Sequence, residues 1–138
     1  MLYAEIQAEL IQEEGLSLKV YIDSLGHKTI GVGHRVYDDT EMITLEMAGQ
    51  YLRNDLETAY QICREIPCFN SLDGIRQYPL ISMAFNMGKK IYSFKKMIKA
   101  LENRDYELAS YEMKNSLWHN QVKTRAIKLE GIMRTGHL

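Results

Sequence analysis

The chain has little of what specialised scaffolds depend on. Its two cysteines in 138 residues, Cys63 and Cys68, are too few for a disulfide framework and do not have zinc-site spacing. Free thiols are expected, with Cys63 on the apolar stripe of a helix. The four histidines show no metal-ligand spacing. No apolar run approaches the length of a membrane span. Gly31-Val32-Gly33 lacks the third glycine of a dinucleotide fingerprint. No Ser-His-Asp or Cys-His arrangement sits in a nucleophile motif. Internal repeats and low-complexity linkers are also missing. The opening residues, MLYAEIQAELIQEE, are acidic and interrupted by polar positions, so they are not expected to act as a secretory signal.

What remains is a globular composition, 46% hydrophobic and 25% charged, in a chain of one-domain length. The formal net charge of −1 conceals an asymmetry. Residues 1–86 hold 6 basic and 13 acidic side chains, whereas residues 87–138 hold 11 and 5. A basic half attracts anionic polymers such as a cell wall, although a dipolar surface without that role explains the counts equally simply. The basic amphipathic segment 92–101, YSFKKMIKAL, reads as a surface helix with solvated lysines. One such helix does not argue for nucleic-acid binding.

The chemistry gathers in residues 14–34, EGLSLKVYIDSLGHKTIGVGH. Glu14 ends a first helix over 3–14, and Gly15 supplies the left-handed residue that stops it. Leu18, Val20 and Ile22 alternate with Lys19, Tyr21 and Asp23, the pattern of a strand. A short Gly-containing turn then returns the chain through Thr29, which predicts a β-hairpin. Folded so, the helix end and hairpin can bring Glu14, Asp23 and Thr29 to one wall of a cleft. Two carboxylates suit glycosidic cleavage, one protonated to serve the leaving oxygen and one ionised to activate water or stabilise positive charge. A helix C-terminus disfavours an ionised Glu14 and pushes its pKa upward, the direction a general acid needs.

The spacing of Glu14, Asp23 and Thr29 within E-G-L-x-L-x-x-Y-x-D and T-I-G-x-G-H resembles the T-even phage lysozyme family, the phage-type muramidases. The likeness continues in order through Ile43-Thr44, Ala48, Asp55, Ser71-Leu72-Asp73 and Phe85-Asn86-Met87-Gly88. It resumes at Trp118-His119-Asn120-Gln121, Arg125-Ala126 and Arg134-Thr135-Gly136. The resemblance implies hydrolysis of β-1,4 links between N-acetylmuramic acid and N-acetylglucosamine in peptidoglycan, with inversion and without cofactor or metal. Glu14 would be the general acid, with Asp23 and Thr29 holding the attacking water. Arg125 would pair with Glu14, and His34 with Asp55 in a structural ion pair. Phe85, Asn86, Gly88 and Gln121 would meet the sugars. A monomer is implied, made in a host cytoplasm without a signal peptide. It would act on the wall after release or within a larger phage assembly, with neither nucleic acid nor membrane insertion. The segment between His34 and Ile43 is shorter than the family pattern, which bears on the cleft more than on the catalytic residues. The rival roles are a non-catalytic wall-binding relative and membrane disruption through residues 92–101.

The expected fold is α+β and lysozyme-like. A β lobe spans about 15–43, a connecting helix about 44–66 runs from an N-cap at Thr44 to Pro67, and the helical lobe comprises 1–14 and about 67–138. Within that lobe Asp73 is expected to cap a short turn over 73–77. A buried helix then follows from about Tyr78 to Met87, with Pro79 in its first turn. A helix over 105–117 and a last one capped near Thr124 complete the chain.

Overall fold

The computed structural model describes residues 3–22, 26–36 and 42–138. It is α+β, with six α-helices and a three-stranded sheet among the described residues. The chain divides into two compact units, Tyr3–Thr58 and one containing Ala59–Leu138.

In the first unit, α1 (Tyr3–Glu14) buries Ile6 and Leu10. It stops at Gly15, whose φ of +73° is costly for any other residue, and whose N–H donates to the Ile11 carbonyl at 3.0 Å. β1 (Ser17–Ile22), β2 (Lys28–Gly31) and β3 (His34–Arg35) form an antiparallel sheet in that order. The two residues of β3 were not foreseen, because a two-residue strand has too little alternation to register as a pattern. Between the pairs Ser17↔Gly31 and Tyr21↔Thr29 the register shifts, so β1 carries a bulge that bends it.

The sheet meets α2 (Leu45–Arg64) through a small cluster of Ile30, Ile43 and Ala48, with Val36 and Tyr51 at its edge. A Cβ on Gly31 would lie 3.4 Å from Ile43 Cδ1 and 3.5 Å from Ala48, and φ there is +65°. Both the approach and the backbone favour glycine. Thr44 caps α2 as expected: the Met47 N–H donates to its Oγ1 at 3.1 Å. The helix ends at Arg64, two residues before the expected limit, as a tight turn through Ile66 leads into Pro67.

In the second unit, α3 runs unbroken from Gly74 to Met87 with Pro79 inside it. The expected break before Tyr78 is absent. Asp73 does cap, accepting from the Arg76 N–H at 3.1 Å, but what it caps is the whole helix. Tyr78 through Ala84 are buried, and that burial offsets the hydrogen bond a proline forfeits. Gly88 ends α3 with φ +61°. A 3-10 turn over Gly88–Ser93 leads into α4 (Lys95–Glu102), which buries Met97, Ala100 and Leu101 and leaves its lysines exposed.

α5 (Tyr106–Lys114), capped by Asp105, packs on α6 (Leu117–Thr135). α6 begins seven residues before Thr124, so Thr124 lies inside it rather than capping it. The break falls instead at Asn115–Ser116, where the Ser116 hydroxyl turns back to the Met113 carbonyl at 2.6 Å. Beyond that point no proline interrupts the helix. Arg76 ties the two ends of this unit together. Its Nε donates to the Met133 carbonyl at 2.8 Å and its Nη2 to that of Arg134 at 3.3 Å. Its guanidinium carbon lies 3.7 Å from the Tyr106 ring centroid.

Candidate active site

Glu14 is the last residue of α1, where the helix presents its unsatisfied carbonyls. Asp23 follows the last residue of β1 and lies outside the described residues, so its expected role is not located structurally. The Glu14 and Gln121 side chains also lie outside them, and with Glu14 the expected contact to Arg125.

Thr29 occupies the central strand, opposite Tyr21 of β1 and Arg35 of β3. The residue is 1% exposed, and its Oγ1 donates to the His27 carbonyl at 2.8 Å. With its proton committed there, the oxygen retains lone pairs able to accept a hydrogen bond.

The strand beside it is anchored to α2. His34 Nδ1 and Asp55 Oδ2 lie 2.7 Å apart, each side chain 29% exposed, so the pair is half-buried. The His34 ring also stacks on Tyr51, with centroids 4.3 Å apart and planes at 22°. Tyr51 was not singled out from the sequence, where it reads only as one more aromatic on a helix. The two contacts hold β3 against α2, and β3 in turn pairs with the strand that carries Thr29.

In the second unit Phe85, Asn86 and Gly88 stand together, half-buried, where α3 ends. Arg125, on α6, is 5% exposed. Its Nε donates to Ser82 Oγ at 3.2 Å and its Nη2 to the Ser82 carbonyl at 3.2 Å, and Nη2 also reaches Oγ. A buried guanidinium requires such partners because its desolvation is otherwise costly. Ser82, 1% exposed, was missed from the sequence. A lone hydroxyl in the apolar run LISMAF was the available signal.

Other ionisable groups respond to burial. The Cys63 thiol is pushed up to about 12 by desolvation. Burial also raises Cys68. Tyr92 is raised by desolvation first, then by Glu65 and Cys63; its hydroxyl donates to the Ile62 carbonyl at 2.6 Å. Buried and protonated, the thiols are poor nucleophiles. Among the described residues no three His, Cys, Asp or Glu side chains are grouped to hold a metal, and no helix is long and apolar enough to cross a membrane.

Comparison with known proteins adds the following. A family model described as phage lysozyme matches residues 11–135. The chain is 28% identical to probable T4-type lysozyme 1 of Dictyostelium discoideum over 164 aligned positions, covering 98% of this chain and 96% of that protein. It is 33% identical to the endolysin of Salmonella phage P22, over 73% of each chain. It is 30% identical to pre-baseplate central spike protein Gp5 of Enterobacteria phage T4, over 95% of this chain and only 28% of that protein. The alignment with the Dictyostelium protein is longer than this chain's 138 residues, so that relative carries residues for which this chain has no counterpart.

Proposed function

This chain belongs to the phage lysozyme family and is a muramidase, a glycoside hydrolase of peptidoglycan; from that premise we propose that it cleaves by inversion, with Glu14 as general acid and Asp23 and Thr29 holding the attacking water. Glu14 delivers its proton to the oxygen leaving the N-acetylmuramic acid anomeric carbon. The positive charge that develops on the ring is stabilised by the ionised Asp23, and water attacks from the opposite face. This arrangement requires carboxyl groups roughly 6.5–9.5 Å apart.

The placement of Thr29 supports this reading best. Its hydroxyl proton is occupied by the His27 carbonyl, so the oxygen acts as an acceptor and turns one water proton away from the reacting carbon. The near-complete burial of Thr29 suits a single ordered water rather than bulk solvent.

Arg125 is read as the cation that serves Glu14, as the likeness to the family implies. Phe85, Asn86, Gly88 and Gln121 contact the sugars, and His34 with Asp55 keeps the sheet in place. The enzyme acts on the cell wall as a single copy, delivered either free or as part of a larger assembly. The segment between His34 and Ile43 is shorter than the family pattern, so turnover is expected to fall most on short oligosaccharides that lose remote binding energy.

The decisive experiment is clearing of purified, membrane-free peptidoglycan by the wild type and by Glu14→Gln. The amide cannot donate the required proton, so the variant is expected to fold and bind wall while losing at least about 100-fold in rate. Retention of more than about a tenth of the rate removes Glu14 from the role. Proton NMR of the first product anomer tests inversion.

A further inference from the structure

We propose that the basic surface of the Gly88–Ser93 turn and α4 is a second, non-catalytic binding site, and that its ligand is the free carboxylates of peptidoglycan stem peptides. This rests on the reading that the enzyme works on peptidoglycan. Residues 74–101 hold no aspartate or glutamate. Glu102, the last residue of α4, is the first carboxylate after Asp73. The turn contributes Lys89 and Lys90, and α4 contributes Lys95, Lys96 and Lys99, all exposed. Among the described residues none of the five is in an ion pair.

α4 gathers its lysines for a packing reason. Met97, Ala100 and Leu101 are buried, which leaves Lys95 with Lys99, and Lys96 with Lys99, as neighbours on the solvent side at helical spacing. Like charges at those spacings repel, and cations in the first turn of a helix oppose its dipole. The arrangement costs stability in the free protein, and an anion laid across it relieves both penalties. The turn carries the charge up to the end of α3, because its first residue is Gly88, read above as a sugar contact.

A bacterial envelope offers two anionic surfaces, lipid and wall, and the apolar residues decide between them. A helix that lies in a membrane surface sinks a broad apolar face into it. Here Ile91, Met97 and Leu101 are buried, and Tyr92, Phe94 and Ile98 half-buried. The apolar side is committed to the protein's own interior, and the charges face outward without an apolar anchor. Stem peptides match what is left. They carry carboxylates and recur along the glycan strand, so they present a multivalent anion to a multivalent cation, and weak contacts reinforce one another.

The test is cosedimentation with insoluble peptidoglycan in the cold, comparing native wall with wall whose carboxylates have been converted to amides. The wild type is expected to bind native wall about tenfold more tightly, the scale of several exposed ion pairs acting together. Added salt should remove that preference. Lys89→Gln, Lys90→Gln, Lys95→Gln, Lys96→Gln and Lys99→Gln combined should abolish it while leaving kcat and binding to amidated wall unchanged. The variant should melt at least as high as the wild type, because the repulsion is gone. Equal binding of the wild type to both walls overturns the proposal, as does a variant that keeps the preference. Capture by phosphatidylglycerol vesicles, lost in the variant while the wall preference persists, assigns the surface to a membrane instead. Binding needs no turnover, so the two readings fail separately. A preference for native wall without any clearing removes the catalytic reading and leaves this site standing, and clearing without the preference does the reverse.

Discussion

The two units of this protein solve opposite problems. The helical unit, from Ala59 onward, buries large apolar side chains on every helix it contains, among them Phe69, Leu80, Ile81, Met83, Ile91 and Met97. The sheet unit, among its described residues, buries Ile6, Leu10, Leu52 and Leu56 on α1 and α2, while its strands meet a small cluster of Ile30, Ile43 and Ala48, edged by Val36 and Tyr51. Its arrangement relies on directional contacts: the His34–Asp55 pair, the His34–Tyr51 stack and the Thr29–His27 hydrogen bond. Buried area is non-directional and sets how stable a unit is, whereas hydrogen bonds fix angles. Mutations in the helical unit should therefore act mainly on stability, and mutations in the sheet unit mainly on turnover.

The largest expected effect on stability is at Phe69, fully covered and edge-on to Tyr60 at a centroid distance of 6.0 Å. Phe69→Ala should cost about 3–5 kcal/mol through lost transfer energy and a residual cavity. Urea unfolding measures it, and activity per folded molecule should not change. A fall in kcat matching the fall in stability would break the comparison.

Next is a pH effect peculiar to the apolar unit. The Cys63 thiol ionises near 9 when unperturbed and near 12 in the fold. Across that window the unfolded chain holds fewer protons than the folded one, so stability declines as pH rises from about 9 to about 12. The slope is at most about 1.4 kcal/mol per pH unit. Cys63→Ala should flatten that alkaline decline in thermal melts, leaving a remainder from Cys68 and Tyr92, which burial also raises. A wild-type slope in the variant would show that the Cys63 thiol does not stay protonated through this range.

The smallest stability effect is expected at Asp55. Its bond to His34 is half-exposed, and Asp55→Ala should cost only about 1 kcal/mol. Turnover should suffer more, because β3 loses an anchor and β3 pairs with Thr29 through Arg35. A stability loss as large as that of Phe69→Ala, with kcat intact, would reverse the assignment of roles to the two units.

Legibility in the sequence followed the same division. Thr44, Asp73, Gly15 and Gly88 were readable as helix boundaries because caps and left-handed glycines are local chemistry. Pro79 misled for the same reason: local propensity argued for a break, and tertiary burial overrode it. The start of α6 was missed because Thr124 looks like a cap while the true break at Asn115–Ser116 uses a side-chain bond with no distinctive pattern. In the site, Glu14, Asp23 and Thr29 stood out by spacing and by their likeness to a family. Ser82 did not, since a hydroxyl among apolar residues acquires meaning only when Arg125, 43 residues later in the chain, is found against it.

The clamp made by Arg76 has a kinetic consequence. Its carbonyl partners on Met133 and Arg134 are 57 and 58 residues away in the chain, so the clamp cannot close until the intervening helices have been brought together. Joining such distant points carries the entropy cost of a large loop, and contacts of this kind are expected to complete after the folding barrier has been crossed. Interactions absent from the transition state govern how fast a protein comes apart and have little influence on how fast it assembles. Arg76→Ala should therefore leave the folding limb of a denaturant chevron nearly where it was and raise the unfolding limb. An equal displacement of both limbs would place the clamp in the nucleus instead. On this view Arg76 is a latch on residence time in the native state, useful to an enzyme that must outlast the wall it degrades.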